Sequence, residues 1–175
     1  MSGGGSNGAW EAGVLWGLVH YGNKDDYKWD VVSGVSAGSI NSAGIGVFAP
    51  GDEVRGTETL IDLWGNLKTK DIYTKPPFGP IQSLFFLKAL YDTSSGAETL
   101  KNILAGYPDG FKRKVAVSAV DANTGERVTM TDEDVAFEDF HLAVLASASV
   151  PGAFPPTAFQ GHLFMDGMTA YNTDV

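Results

Sequence analysis

The chain has 175 residues, of which 43% are hydrophobic and 11% aromatic, enough for one folded domain with a sizeable core. Its 22 glycines follow no regular period, which excludes a fibrous repeat and favours a mixed α/β domain with many turns. The net charge of −9 argues against a nucleic-acid partner, and the absence of cysteine excludes disulfides, thiolate metal sites and a cysteine nucleophile.

Membrane and targeting signals are missing from the printed sequence. No stretch reaches the roughly 18 to 20 consecutive apolar residues that cross a bilayer. The first residues also lack the basic start and apolar run of a signal peptide. We therefore expect the chain to be soluble and leave its compartment open. Because a glycine-rich motif begins at Met1 with no strand ahead of it, we expect that the natural N-terminus has been lost or misassigned.

The first half of the sequence predicts three helices and a strand. Apolar residues at helical spacing indicate a helix over Ala9–His20, and Gly22 follows where such a helix would stop. The β-branched run Trp29–Val35 is typical of a buried strand, and the small residues of Ala37–Gly46 favour a helix packed tightly against it. A further helix is expected over Asp52–Leu67.

The second half starts with a Pro- and Gly-punctuated region, Lys75–Pro80, that breaks regular structure. The apolar and aromatic stretch Ile81–Tyr91 is expected to be either core or lid. Within it, Leu84-Phe85-Phe86-Leu87 would rest on a lipid surface or pack in the core. The remaining predicted elements are a helix over Ala97–Leu104, a hairpin of Lys114–Val120 and Arg127–Thr131, a helix over Phe140–Ala148, and a strand over Leu163–Met165 after a turn at Gln160-Gly161.

The strongest local signal is Gly34-Val35-Ser36-Ala37-Gly38, which matches the G-x-S-x-G nucleophile elbow. It lies where the predicted strand turns into the predicted helix, as an elbow requires. Glycines suit a turn too tight for Cβ atoms beside the serine, and the helix N-terminus favours negative charge developing on Ser36. In a chain so rich in glycine and serine the pattern also arises by chance, so these five residues alone leave both interpretations open.

A second signal is the run Gly3-Gly4-Gly5-Ser6-Asn7-Gly8 at the start of the first helix. Its unhindered backbone N–H groups would stabilise an oxyanion during acyl transfer. A vector-derived linker would explain Met1–Ser6 but not the helix that follows without a break. The same glycines satisfy the dinucleotide-binding pattern, which here lacks its preceding strand. A P-loop is excluded, because Ala9 and Trp10 stand where Lys and Ser or Thr are required.

A hydrolytic serine needs a base, and no histidine follows the acid in the order usual for α/β-hydrolases. We interpret His20, His141 and His162 as structural or surface residues. Asp166 ends an apolar strand and is followed by Gly167, a position from which its carboxylate would face the elbow. An ordinary turn aspartate is the alternative interpretation.

Taken together, these pieces resemble the patatin-like phospholipase family in order and spacing. The glycine run from Gly3 to Gly8 matches its oxyanion loop, the elbow matches its nucleophile motif, and Asp166-Gly167 matches its catalytic Asp-Gly pair. The segment from Ala146 to Pro156 is similar to the one that precedes the family's last catalytic strand. The resemblance runs from Gly3 to about Asn172.

The resemblance implies an α/β protein with a three-layer α/β/α fold and a mostly parallel central sheet, formed by residues 1–175 as one domain. It implies a lipid acyl hydrolase that uses a Ser36–Asp166 dyad, with no metal and no organic cofactor. The expected partner is a lipid acyl ester, with transient contact to a membrane surface. The implied oxyanion donors are Gly3, Gly4, Gly5 and Ser6, and the glycines that support the motifs are Gly8, Gly34, Gly38 and Gly167.

The sequence also departs from the family pattern. Asn7 stands where Arg or Lys is frequent, and Met168 stands where Gly or Ala is usual, so that extra bulk would crowd the site. No strand feeds the glycine loop, and the chain stops shortly after Asp166, so we expect the domain to be truncated at both ends. Two alternatives therefore stay open: a catalytically inactive lipid-binding or interaction module, and a hydrolase of small soluble esters.

Overall fold

The computed structural model describes residues 1–23, 26–75 and 89–172. Within these ranges the helices are α1 (Gly8–Tyr21), α2 (Ala37–Gly46), α3 (Glu53–Asn66), α4 (Thr69–Ile72), α5 (Ser94–Ala105) and α6 (Phe140–Ser147). The strands are β1 (Val31–Val35), β2 (Lys114–Asp121), β3 (Arg127–Thr131), β4 (Thr157–Phe159) and β5 (His162–Asp166). Short 3₁₀ turns cover Gly5–Asn7, Phe137–Asp139 and Gly167–Thr169.

Strand β2 organises the sheet, because three other strands pair with it. β1 runs parallel to its first part, with Val35 opposite Ser118. β5 runs antiparallel to its last part, with Asp166 opposite Ala119. A strand has only two edges, and β3 occupies one of them along most of β2. β1 and β5 therefore share the other edge and run towards each other until their ends meet.

The predicted α/β class is confirmed, and the described sheet is mixed. Only β1 and β2 pair in parallel among the described strands; β3, β4 and β5 pair antiparallel. Parallel pairing is less frequent here than the resemblance implied, because β3 returns through a tight hairpin and β5 enters from the opposite direction. The one parallel pair is the one that carries the elbow.

Helices cover the sheet on the side of the nucleophile helix. α2 and α6 pack on the sheet and on each other, so they lie on the same face, with α1 and α3 packed on α2 and α5 packed on α6. The core between these layers is mostly apolar, and its most buried apolar side chains include Ile45, Leu60, Val115, Val117, Phe140 and Val144. None of the helices in the described ranges is both long and apolar enough to cross a bilayer.

Most predicted elements are confirmed to within three residues. α2 has the predicted bounds, and the turn before β5 is confirmed, with Gln160 at φ 47° and Gly161 at φ 81°. β4 was not predicted, because a three-residue strand is too short to show a period. The irregular region predicted up to Pro80 lies largely outside the described residues, and Leu84–Leu87 lies wholly outside them.

A buried ion pair closes the end of the sheet where β1 and β2 begin. The Arg113 guanidinium donates to the Glu53 carboxylate at 3.1 Å, and the two side chains are 0% and 6% exposed. Arg113 also donates to the carbonyls of Trp29, Phe48 and Ala49 at 2.6, 2.8 and 2.7 Å. One side chain thus ties together the segments that enter β1 and β2 and the segment that joins α2 to α3.

Candidate active site

Ser36 lies in a strained turn between β1 and α2. Its backbone has φ 54° and ψ −124°, a left-handed φ that only a few per cent of residues other than glycine adopt. Such a conformation costs on the order of 1–3 kcal/mol and persists where the surroundings hold it in place. The Ser36 carbonyl accepts hydrogen bonds from the Ser39 N–H at 2.9 Å and the Ser39 hydroxyl at 2.6 Å. The turn presents a serine that is only 3% exposed.

The glycines beside Ser36 are required by close packing. A Cβ on Gly34 would lie 2.1 Å from the Gly38 carbonyl oxygen, and one on Gly38 would lie 2.6 Å from the Met1 carbonyl oxygen. Gly8 has the same constraint, because its Cβ would lie 2.6 Å from the Trp64 ring. Glycine is therefore required at these motif positions because the turn packs closely against itself and against neighbouring segments, including the first residues of the chain.

Asp166 lies at the end of β5 and is completely buried. Its Oδ1 accepts a hydrogen bond from the Met168 N–H at 2.9 Å, and its own N–H donates to the Ser149 carbonyl at 2.9 Å. Its Oδ2 has no hydrogen-bond partner among the described residues. A buried carboxylate oxygen with no partner is unusual in a folded protein and marks a place where a proton or a ligand belongs.

Burial raises the pKa of the Asp166 carboxyl above its ordinary value of 3.8, and hydrogen bonds from the Met168 N–H and the Ser36 hydroxyl oppose that rise. The Ser36 hydroxyl is thus close enough to affect the carboxylate, although Oδ2 has no hydrogen bond of normal geometry. We interpret the pair as being in loose contact, which is common between catalytic groups without substrate. A raised pKa makes the Asp166 carboxylate a stronger base.

The sheet register explains how two residues so distant in sequence come together. β1 and β5 end at neighbouring residues of β2, and Gly167 packs there, since a Cβ on it would lie 2.4 Å from the Ser118 carbonyl oxygen. The Ser147 hydroxyl accepts from the Ser36 N–H at 2.9 Å and donates to that same carbonyl at 2.7 Å. Sequence reasoning gave Ser147 no role, and only its place in the family-like segment from Ala146 to Pro156 pointed to it.

The glycine loop lies against the elbow. A Cβ on Gly3 would lie 3.0 Å from the Ser36 Cβ, and Gly5 has φ +57°. The Gly3 N–H donates to the Asn172 carbonyl at 3.1 Å, so in this structure it is not available to an oxyanion. The N–H groups of Gly4, Gly5 and Ser6 have no hydrogen-bond acceptor among the described residues. Of the four predicted oxyanion donors, these three N–H groups therefore remain available, whereas Gly3 allows the loop backbone to pack closely against Ser36.

A hydrogen-bond network ties the glycine loop to the nucleophile helix. The Asn41 amide, fully buried in α2, donates to the Gly8 carbonyl at 3.1 Å and to Glu11 Oε2 at 2.8 Å, and accepts from the Trp64 indole at 2.8 Å. The other Glu11 oxygen accepts from the Ser2 N–H at 2.9 Å. Sequence reasoning missed this network; its only sequence signal is one amide among the small and apolar residues of α2.

The histidine side chains and the Met168 side chain form no hydrogen bond with Ser36 or Asp166 among the described residues. The three histidines bond elsewhere: His20 to the Trp16 carbonyl, His141 to the Glu138 carbonyl and His162 to the Asp121 carboxylate. The Met168 side chain is 45% exposed, so its bulk extends into solvent. Met168 contributes to the site through its backbone N–H.

A serine in a strained turn, a buried carboxylate and a glycine loop thus lie together where β1 and β5 end on β2. The family model of patatin-like phospholipases matches residues 1–175. The chain belongs to the patatin-like phospholipase family. The resemblance inferred from the three motifs is therefore confirmed, while the roles of individual residues in this patatin-like site stay predictions.

A solved structure shares the patatin-like fold of the chain. VipD from Legionella pneumophila is similar over 99% of this chain, with a TM-score of 0.56 and 14% sequence identity. At that identity the likeness shows the fold alone. The chain spans 46% of the VipD chain, about half its length. No curated protein matches the chain significantly in sequence.

Proposed function

We propose that the chain hydrolyses acyl esters of lipids, with Ser36 as nucleophile and Asp166 as its base, within a single patatin-like domain. One observation carries the proposal: β1 and β5 end side by side on β2 and bring a strained serine to a buried carboxylate with one unpaired oxygen. The family assignment supports acyl ester hydrolysis, and its description as phospholipase supports a lipid substrate.

The first half of the reaction forms an acyl-enzyme. Asp166 Oδ2 takes the proton of the Ser36 hydroxyl as Ser36 Oγ attacks the ester carbonyl carbon. The carbonyl oxygen becomes an oxyanion, for which Gly4, Gly5 and Ser6 offer backbone N–H donors. The tetrahedral intermediate then collapses, the ester C–O bond breaks, and Asp166 returns its proton to the leaving alcohol.

The second half of the reaction releases the fatty acid. Asp166 takes a proton from water, whose oxygen attacks the acyl carbon bound to Ser36 Oγ. The second oxyanion uses the same N–H donors, and its collapse breaks the bond to Ser36, which regains its proton from Asp166. Because both halves begin with a deprotonated Asp166, its raised pKa supports proton transfer in each of them.

The alternative of an inactive module drew on Met168, on Asn7 and on the expected truncation at both ends, and of these the Met168 side chain is 45% exposed. The alternative of a soluble-ester hydrolase shares the same two residues and differs only in the substrate tail. The dependence of turnover on acyl-chain length therefore distinguishes a lipid hydrolase from a soluble-ester hydrolase, whereas substitution of Ser36 or Asp166 does not.

Covalent labelling with a fluorophosphonate probe tests the activated serine. We expect labelling of the wild type, none of Ser36→Ala, and full labelling of Ser42→Ala. Ser42 is a matched control, since its hydroxyl is buried on α2, the helix that follows Ser36, without a hydrogen-bond partner among the described residues, and its removal costs little. A folded wild type that is not labelled, or equal labelling of Ser36→Ala, would refute the proposal.

A further inference from the structure

The parallel ladder between β1 and β2 stops one hydrogen bond short of the nucleophile. At its start the Lys114 N–H donates to the Asp30 carbonyl at 3.1 Å, and the strands stay in register as far as Val35 opposite Ser118. Ladder hydrogen bonds between parallel strands are evenly spaced and recur at every second residue of a strand. Counted in twos from Asp30, the next bond would run directly from the Ser36 N–H to the Ser118 carbonyl.

The Ser147 hydroxyl, at the C-terminal end of α6, occupies the place of that bond. It accepts from the Ser36 N–H at 2.9 Å and donates to the Ser118 carbonyl at 2.7 Å. Ser147 is fully buried, so these two hydrogen bonds are shielded from water. Two bonds in series span more distance than one direct bond of about 2.9 Å. The inserted hydroxyl therefore holds the Ser36 backbone farther from β2 than a continued strand would.

The backbone strain of the elbow occurs at the residue whose ladder bond is interrupted. Ser36 has φ 54° and ψ −124°, whereas a parallel strand has φ near about −120°. Without the hydroxyl, the buried Ser36 N–H would either lose its partner or bond to Ser118 directly. The direct bond would extend β1 by one residue and release the strain. The Ser147 hydroxyl satisfies the N–H while the strained φ is kept.

The same carbonyl is approached by the turn that follows Asp166. A Cβ on Gly167 would lie 2.4 Å from the Ser118 carbonyl oxygen, so Gly167 packs directly on it. A direct bond from Ser36 to this oxygen would draw the end of β1 towards the place where Gly167 packs. The inserted Ser147 hydroxyl thus sets the spacing between the serine and the segment that carries the carboxylate.

Helix α6 also reaches the other side of the Ser36 backbone. The Ser39 hydroxyl donates to the Ser36 carbonyl at 2.6 Å and lies 3.4 Å from the Val144 carbonyl of α6. The N–H and the carbonyl of Ser36 are therefore both linked to α6 through serine hydroxyls. The Ser147 contact is the direct one, because the contact with Val144 is relayed by Ser39.

We propose that Ser147 is a positioning residue for the nucleophile: its hydroxyl replaces the last ladder bond between β1 and β2 and so holds Ser36 in its strained conformation beside Asp166. The inference rests on the proposed function of these two residues. Ser147 bonds to the Ser36 backbone and not to its hydroxyl. Its loss should therefore alter the geometry of attack, which lowers kcat, and leave ester binding and KM unchanged.

The first test measures kcat and KM with p-nitrophenyl butanoate. Ser147→Ala removes the hydroxyl, and we expect kcat to fall about 10- to 100-fold with KM changed less than about twofold, because a displacement of about 1 Å at a reacting group has an effect of that size. Ser147→Thr keeps the hydroxyl and should restore most of kcat. Folded Ser147→Ala protein with wild-type kcat, or folded Ser147→Thr protein as impaired as Ser147→Ala, would overturn the proposal.

A further variant covers a failure of Ser147→Thr to fold. Ser147→Cys keeps a side chain of similar shape, but a thiol is a weak donor and a weak acceptor. Its kcat should therefore fall as in Ser147→Ala. Wild-type kcat in folded Ser147→Cys protein would show that the side chain only fills space, and the proposal would be wrong.

Thr57→Val is the matched control for the loss of a buried hydroxyl. Thr57 is fully buried in α3, and its hydroxyl donates to the Glu53 and Val54 carbonyls at 2.9 and 3.0 Å, so neither bond reaches the elbow. Turnover per folded molecule should remain at the wild-type value. An equal loss of kcat in Thr57→Val and Ser147→Ala would attribute the effect to general destabilisation and overturn the positioning role.

The conformation of Ser36 is measurable without turnover, which separates this inference from the proposed function. In ¹⁵N-labelled protein, the three-bond HN–Hα coupling of Ser36 should correspond to φ 54° in the wild type and in Thr57→Val, and move towards the value of an extended strand in Ser147→Ala. An unchanged coupling in Ser147→Ala would refute the role of Ser147. If the coupling changes but the wild type hydrolyses no ester, the hydrolase proposal fails and the role of Ser147 in holding Ser36 stands.

Discussion

The two ends of the β1–β2 pair bury charge in opposite ways. At the end where both strands begin, Arg113 is fully buried and donates to a carboxylate and three backbone carbonyls. At the end where β1 stops, Asp166 is also fully buried, but one of its oxygens has no hydrogen-bond partner among the described residues. A buried charge with all partners present supports the fold, whereas one that lacks a partner is typical of a functional site. The two ends of this strand pair thus differ: one stabilises the fold, and the other holds the proposed active site.

The largest effect is expected at the reactive end. Asp166→Asn keeps the shape of the side chain but removes the base, so ester turnover should fall by about 10²- to 10⁴-fold. The same change removes a buried carboxylate whose pKa is raised, so at neutral pH the Tm should stay the same or rise. Turnover and thermal unfolding of one sample measure both effects. If Asp166→Asn lost stability and kept its turnover, Asp166 would stabilise the fold rather than act as the base.

The opposite outcome is expected at the end where the strands begin. Arg113→Met leaves Glu53 buried without its cation, and loss of one partner of a buried ion pair costs about 3–5 kcal/mol in the free energy of unfolding. Chemical denaturation measures this loss. Because Arg113 precedes β2 at the end of the β1–β2 pair opposite to Ser36, turnover per folded molecule should remain near the wild-type value. A stable variant with impaired turnover would show that the two ends are coupled.

A change of pH is expected to have a smaller and graded effect on kcat/KM and on stability. Asp166 must be deprotonated to act as a base, so kcat/KM should rise with pH through a pKa above 3.8. Stability changes in the other direction: the folded state binds the Asp166 proton more tightly than the unfolded state, so this residue's contribution declines as pH rises from 3.8 through the folded-state pKa. Asp166→Asn should therefore gain stability over wild type at neutral pH and lose that gain below pH 3.8. An acid limb of kcat/KM at or below 3.8 would contradict this assignment.

Local patterns predicted most of the fold and the motifs of the site. The elbow, the glycine loop and Asp166-Gly167 are short runs that can be recognised locally, and at Gly34 the steric contact that requires glycine is with Gly38, within the same run. The features that could not be predicted from the sequence depend on contacts between segments that are distant in the chain. The shared edge of β2, the Ser147 bridge and the bond from Gly3 to Asn172 each join residues that no local pattern relates. Arg113 likewise stands between two surface lysines with no signal of its burial.

The end-to-end meeting of β1 and β5 also determines when the site can come into existence. During synthesis from the N-terminus, Ser36, the glycine loop and β2 emerge before Asp166, which lies on the last strand described. A nascent chain in which β1 is already paired to β2 holds the proposed nucleophile without the proposed base. Docking of β5 along the remaining part of that β2 edge therefore adds the last described strand to the sheet and brings the proposed base to the proposed nucleophile in one step. Under the proposed function, the growing chain would gain reactivity towards esters only when β5 is in register with β2.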